Sequence, residues 1–199
     1  GVMGRFVRDL LPDHVPVIFD AEDVDSEKWR SYSDSARWPL SWLYRREADK
    51  LLAYERKMAA STSVTLFVSE QEADLFKTLA PESADKTYFR TQGVDSVYFD
   101  PSIELDNPYE EGQRVLVFTG AMDYRPNIEA VTWFCDNVFS TIRENEPNFL
   151  FCIVGMKPTD EVRQLDNIPG VRVTGGVPDV RPYLSHALAA CLPLQLARG

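Results

Sequence analysis

Strong metal ligands are scarce in this 199-residue chain: it has two histidines and three cysteines, and Cys135, Cys152 and Cys191 stand far apart with no CxxC spacing. That scarcity excludes zinc and iron–sulfur sites built from local ligand runs, so no metal or other cofactor is called for. Each cysteine lies inside an apolar stretch, where a buried reduced thiol is the expected state, and this favours a reducing, cytoplasmic setting. Long hydrophobic runs are missing too. The longest, such as VTLFV at 64–68, fall far short of the ~20 residues of a membrane span. Positive charge is in deficit, with 21 Lys/Arg against 31 Asp/Glu and a net charge of −10, which argues against a broad nucleic-acid surface. The deficit is evenly spread: 13 Lys/Arg against 18 Asp/Glu in residues 1–100, and 8 against 13 in residues 101–199. No GxSxG, GxxxxGK[ST], HExxH or GxGxxG occurs, so nucleophile elbows, P-loops, zincin helices and dinucleotide fingerprints are all excluded.

What is present is a folding pattern. Apolar residues make up 44% of the chain, aromatics 12% and charged residues 26%, the profile of a folded protein. Short β-rich runs at 15–19, 64–68, 115–120, 149–155, 171–176 and 188–194 read as strands, several apolar without alternation, as strands buried on both faces are. Between them lie stripes of helical spacing. One runs through Leu40, Leu43, Tyr44, Ala48, Leu51, Leu52, Met58 and Ala59, and another through Ile128, Val131, Phe134, Cys135, Val138, Phe139 and Ile142. Pro39 divides 26–60 into two helices. Ser69 with Glu72 forms a capping box that starts a helix directly after the strand at 64–68. Strands alternating with helices predict an α/β fold with doubly wound parallel sheets. The run DPSIELDNPYEEGQR at 100–114, with two prolines and five acids, reads as a linker between two α/β pieces.

In open α/β sheets ligands bind at the carboxyl ends of strands, which directs attention to four strand-to-helix junctions. At 117–134, Gly120 allows a tight turn, Asn127 suits an N-cap, and Arg125 either neutralises a diphosphate or simply lies on the surface. At 153–160, Gly155 ends a strand, with Lys157 nearby. At 173–184, Gly175 and Gly176 let backbone approach a flat ligand, and Asp179 suits the N-cap of the next helix. At 17–29, five acids fall within the eight residues Asp20 to Glu27; they could hold Mg²⁺, act as a general base, or cap a helix through Asp25 or Ser26. His14 reads as a surface residue and His186 as a packing one.

Together these junctions resemble one family. FTGAMDYRPNIEAVTWF, FLFCIVGMKP, VRVTGGVPDVRPYL and ACLPLQLARG look like the first half of the C-terminal domain of retaining GT-B glycosyltransferases of family 4. DAEDVDSEKW, FVSEQEADLF and TQGVDSVYFDP look like the second half of the N-terminal domain. The likeness is greatest to sugar transferases of exopolysaccharide and PEP-CTERM systems. It implies a GT-B fold of two facing Rossmann-like domains. Residues 1–99 would be the acceptor-side part, 100–114 the linker and 115–199 the donor part. The implied partners are a nucleotide diphosphate sugar donor and a glycan or lipid-linked acceptor, with peripheral inner-membrane association of the full-length enzyme; the sequence itself shows no basic amphipathic helix to anchor it.

The resemblance also assigns residues. Gly120 matches the turn beside the donor diphosphate, and Val177 and Asp179 match positions lining the nucleobase pocket; Gly155 and Gly176 join the expected substrate-binding residues from their junctions. Ala121 and Asn127 stand where the family often has Arg and Lys, leaving Arg125 as the nearby cation. Glu22 and Asp23 stand where many relatives place His then Asp, so acceptor binding or activation falls to them. Gln92-Gly93-Val94-Asp95 replaces an NGVD motif. Relatives continue beyond the Gly matching Gly199 into a helix with two donor-gripping glutamates, and carry a glycine-rich loop ahead of the position of Gly1. The chain is therefore expected to be an internal piece of a longer enzyme, inactive alone, with some apolar sheet edges uncovered. The competing readings are a non-catalytic nucleotide-binding module and a GT-B-like nucleotide-sugar epimerase.

Overall fold

The computed structural model describes residues 15–195, so His14 and Gly199 lie outside the described residues. The chain divides into two compact units at Gly93/Val94.

The first unit holds strands β1 (Ile18–Glu22), β2 (Val64–Phe67) and β3 (Thr87–Phe89), all parallel, in the order β1-β2-β3. Helices α1 (Asp25–Ser35) and α2 (Leu40–Ser61) join β1 to β2, and α3 (Glu70–Leu79) leads towards β3. Pro39 divides the first two helices where expected. β1 is displaced from the expected 15–19 towards its carboxyl side. Parallel pairing with β2 carries it on to Glu22 through an irregularity between Asp20 and Glu22. Three-residue β3, with no apolar run of its own, gave no sequence signal. Its core is Phe19, Val24, Met58, Ala59, Phe67, Ala73, Phe76 and Ala80. At the sheet's outer strands Ile18, Tyr88 and Phe89 are exposed.

The second unit has β4 (Arg114–Thr119), β5 (Phe149–Val154), β6 (Val171–Gly175) and β7 (Ala189–Ala190), parallel, in the order β6-β5-β4-β7. β7 is two residues long rather than the expected seven, flanked by Leu188 N–H and Cys191 N–H donating to Val115 O and Val117 O of β4, each at 2.8 Å. α4 (Arg125–Phe134) passes through a π-type stretch (Cys135–Phe139) into α5 (Ser140–Asn145). The wider turn keeps Phe134, Cys135 and Phe139 on the face that packs against Phe151 and Ile153. α6 (Asp160–Gln164) and α7 (Arg181–Ser185) complete the layers. Residues 100–114, read from composition as a linker, lie in this unit; Tyr109 within them is buried and its hydroxyl donates to Tyr183 O at 2.7 Å. Burial pushes the Cys135 thiol up to about 12 and the Cys152 thiol up to about 11. Among the described residues, no helix is long and apolar enough to cross a membrane.

Candidate functional site

In the second unit, three strand-to-helix junctions meet at one edge of the sheet and are laced by backbone hydrogen bonds. Gly120 N–H donates to Val154 O (3.1 Å), Met122 N–H to Met156 O (2.9 Å) and Gly155 N–H to Gly175 O (3.1 Å). Space requires glycine at 155, where a Cβ would stand 1.7 Å from the Gly120 carbonyl oxygen; a Cβ at Gly120 would stand 2.6 Å from Asn127 Nδ2, a side-chain tip that would have to move aside. Asn127 is not the expected N-cap: Tyr124 holds that position without a side-chain cap bond, and Asn127 instead donates to Ala121 O at 3.0 Å, locking the turn. No side chain caps α4; Pro126 in its first turn has no N–H, and the Asn127 and Ile128 N–H groups donate to Tyr124 O at 3.0 and 3.1 Å.

The nearby cations are engaged with acids. Arg125 Nε lies 2.6 Å from Glu129 Oε1 one turn along α4, and Lys157 Nζ lies 3.4 Å from Asp123 Oδ2. Lys157 also has a left-handed backbone, φ 54°, a conformation that costs a non-glycine residue about 1 kcal/mol or more. Gly176 is exposed, and the Val177 side chain packs under it against the cluster of Val115, Val117 and Cys152. Of the two residues, Gly176 is the exposed one.

Asp179 stands one residue ahead of the cap position of α7, yet its Oδ1 still accepts the Arg181 N–H at 2.9 Å. Its carboxylate is gripped by the Arg181 guanidinium, with Nη2 to Oδ2 at 2.7 Å, and accepts the Tyr98 hydroxyl at 3.2 Å. Arg181 Cζ lies 3.8 Å from the centre of the Tyr98 ring, and Nη1 donates to Tyr98 O. Those hydrogen bonds from Arg181 hold Asp179 down at about 2. The pair therefore supports the unit above the ordinary carboxylate range and is lost only as pH falls towards about 2. Sequence reading missed Tyr98 as a partner, because 81 residues separate it from Asp179. His186 is exposed rather than packed: its Nε2 is 2.7 Å from Leu105 O, and since a carbonyl only accepts, Nε2 carries the proton.

In the first unit, Glu22 and Asp23 end β1. Glu22 is exposed with φ 63°, a left-handed conformation held by Val68 N–H donating to its carbonyl. Asp23 is half-buried, and burial together with the nearby Glu72 carboxylate raises it above the usual carboxylate range. Ser69 caps α3 as expected, accepting the Glu72 N–H. The Glu72 carboxylate closes no box, however, and instead accepts Val24 N–H at 2.7 Å, fixing the turn after Asp23. Neither Asp25 nor Ser26 caps α1, whose cap position is Val24. Ser26 is buried and donates from both N (3.1 Å) and Oγ (2.5 Å) to Glu55. Among the described residues, no three metal-ligating side chains converge.

Glu55 offers a test of this support. Burial raises it above its ordinary 4.5, opposed by the Ser26 hydrogen bonds. The folded state therefore holds more protons than the unfolded one over a window opening near 4.5, and stability falls as pH rises through it. Glu55→Gln keeps an acceptor for Ser26 N–H and a donor for Ser26 Oγ. It is expected to flatten that fall, and to change stability at neutral pH by no more than ~1 kcal/mol. Glu55→Ala strands both Ser26 groups and is expected to cost about 1–3 kcal/mol. Urea unfolding at about pH 5 and about pH 8 decides; a Gln variant with the wild-type slope overturns the expectation.

Residues 113–199 match the family model described as glycosyl transferases group 1. Among solved structures, the Anabaena protein HepE, in complex with UDP and glucose, is similar with a TM-score of 0.52 at 10% identity, covering 88% of this chain and 45% of that one. The structure of accessory secretory protein 1, 2 and 3 from Streptococcus pneumoniae is similar with a TM-score of 0.45 at 10% identity, covering 94% of this chain and 33% of that one. No curated protein matches. The chain thus spans about half the length of HepE or less, and the likeness shows the fold: α/β with parallel sheets, as in the Rossmann-like halves of GT-B glycosyltransferases.

Proposed function

We propose that the chain is part of a glycosyltransferase in which the second unit holds a sugar nucleotide. The observation that supports this most is the lacing of the Gly120, Gly155 and Gly175 junctions into one backbone surface, inside the segment that matches the glycosyl transferase group 1 model. The start of α4, beside the Gly120 turn, would take the diphosphate, where the positive end of the helix dipole favours negative charge. Arg125, freed from Glu129 by a competing phosphate, would add a second neutralising group. The base would lie on the exposed Gly176 beside Val177, next to Asp179, whose grip on Arg181 and Tyr98 keeps that loop in place. In the first unit Asp23, with its raised affinity for a proton, and the exposed Glu22 would bind or deprotonate the acceptor hydroxyl. Sugar transfer with retention, from a nucleotide diphosphate sugar to a glycan or lipid-linked acceptor of cytoplasmic exopolysaccharide synthesis, is the reading these residues support.

HepE's complex with UDP and glucose makes UDP the first nucleotide to test. At a concentration about a hundredfold above Kd, a ligand specific for the native state adds ~2.7 kcal/mol. The melting temperature is then expected to rise by about 5–10 °C with UDP and by less with GDP or ADP. No shift with any of the three overturns the donor-site assignment. A second reading, a nucleotide-binding module without catalysis, is favoured by the Arg125–Glu129 and Lys157–Asp123 pairs, which occupy the cations that would steady a leaving diphosphate. UDP binding by the chain, with no donor cleavage by a longer version of it, would select that reading.

A further inference from the structure

At the amino edge of the second unit's sheet, the turns that precede β4, β5 and β6 enclose an open cleft of about 580 Å³. It is lined by 110–113, by 147–150 at the start of β5, by 170–172 at the start of β6, and by Arg143 and Asp166. Gly112 and Gly170 both take left-handed backbone, φ 79° and 82°, which lets these turns fold tightly. A Cβ at Gly170 would stand 1.7 Å from Arg143 Nη1, so the guanidinium occupies the space that a side chain there would fill. Six-residue β5 sets this edge ~17 Å from the glycine junctions at the carboxyl edge.

The fold leaves much of the polar lining unpaired. Arg143, half-buried in the last turn of α5, has no hydrogen-bond or ion-pair partner among the described residues. Arg172 is also half-buried, and its one side-chain hydrogen bond among the described residues is to Pro108 O, at 3.5 Å. The Glu111 carboxylate and the Asn148 amide are exposed and without partners among the described residues. Asp166 uses one oxygen on the Val173 N–H at 2.7 Å, and the Glu110 carboxylate meets Gln113 Nε2 at 3.4 Å. Arg143 in particular is fixed by packing against Gly170 while its donors lack an acceptor.

The balance of charges selects the ligand class. Two arginines face three carboxylates, those of Glu110, Glu111 and Asp166, so the lining carries one negative charge in excess and disfavours a free anion. A metal ion would meet two guanidinium groups, and no three metal-ligating side chains converge among the described residues. An apolar ligand finds little to cover, since Phe149, Leu150 and Val171 are buried. A neutral, hydroxyl-rich molecule fits all three conditions. Each hydroxyl donates and accepts, so one molecule can meet carboxylate, guanidinium and amide together without a net charge. We infer that this cleft binds a neutral saccharide through Arg143, Arg172, Glu111 and Asn148, at a site separate from the nucleotide edge. Its volume lies within the range of small-molecule sites. Under the proposed function, such a site would hold a glycan away from its reacting end and raise its effective concentration. Only that role rests on the glycosyltransferase reading; the binding does not.

Amide NMR of the isotope-labelled chain, titrated with glucose, maltose and cellobiose and with no nucleotide present, tests it. The signals of Gly112, Asn148, Gly170 and Arg172 are expected to shift with at least one of the three sugars, while inorganic phosphate at the same concentration leaves them in place. Arg143→Gln should weaken binding about tenfold, as loss of a hydrogen bond to a charged group does. Glu111→Ala with Asn148→Ala should weaken it several-fold. Both of those side chains are exposed, so this variant is expected to stay folded and decides alone if Arg143→Gln unfolds. The UDP-induced rise in melting temperature should match wild type in these variants, because they leave the nucleotide edge untouched. Sugar shifts at the amino edge with no UDP response would support the cleft and overturn the donor-site assignment alone; a UDP response without sugar shifts would do the opposite. The inference is overturned by no shift with any of the three sugars, or by shifts confined to Gly120, Gly155 and Gly176. A stronger response to phosphate than to sugar, or undiminished binding by the Glu111→Ala, Asn148→Ala variant, overturns it equally.

Discussion

Gly155→Ala is expected to cost the second unit at least about 3 kcal/mol and to abolish the UDP-induced rise in melting temperature. The added Cβ would lie 1.7 Å from the Gly120 carbonyl oxygen and 2.9 Å from its carbon, both backbone atoms that no rotamer change moves. To admit it, the ends of β4 and β5 must separate. That would stretch the Gly120–Val154 and Met122–Met156 hydrogen bonds and pull Gly155 from Gly175. The same movement breaks the surface proposed for the diphosphate, so stability and nucleotide binding should be lost together. Gly176→Ala separates the two effects. Its Cβ would meet Met156 Cβ at 3.5 Å, an ordinary contact, so stability should hold within ~0.5 kcal/mol. UDP affinity should still drop, because the added methyl stands on the exposed residue proposed to face the base. Urea unfolding and UDP titration of both variants check this. A Gly155→Ala protein with wild-type stability would show that the junctions are not bound as tightly as described.

Phe151→Ala is expected to cost about 3–5 kcal/mol. Phe151 is fully buried on the central strand β5, with ring centres 4.6 Å from Phe134 and 5.9 Å from Phe139. Truncation removes one member of this three-ring stack and leaves a cavity between the sheet and the α4–π–α5 helix, a region too interlocked to collapse into it. Phe151→Leu keeps most of the volume and should cost less than ~1.5 kcal/mol. Equal midpoints for the Ala variant and wild type in urea would show that the stack does not hold the unit together. Since Phe134 lies at the end of α4, loosening it should also weaken UDP binding, through the placement of the helix start.

The strand-end turns of the second unit were legible at the glycines and opaque at the side chains. Gly120, Gly155 and Gly176 announced themselves because a strand that ends on glycine before a helix start is a local pattern. The capping roles read for Asn127 and Asp25 or Ser26 failed for a common reason. A short polar side chain near a helix start has several partners within reach, and the neighbouring elements choose among them: Ala121 O takes Asn127, and Glu55 takes Ser26. Glu72 shows the same thing from the other side, its capping-box carboxylate drawn off to the Val24 N–H 48 residues away. Nothing local could have paired Tyr98 with Asp179 and Arg181, or His186 with Leu105.

What the sequence alone determined was the alternation of strand and helix, the parallel order it implies and the buried character of the central strands. Each of these follows from apolar periodicity, which is a property of neighbours along the chain. The scarcity of histidine and cysteine, and the negative balance, likewise narrowed the chemistry before any fold was known. Tertiary structure alone decided which groups face each other. It set the 1.7 Å approach that makes Gly155 obligatory, the carboxylate under Asp23 and the grip of Arg181 on Asp179. Those arrangements depend on distances between residues far apart in sequence, and such distances exist only once the sheets have formed.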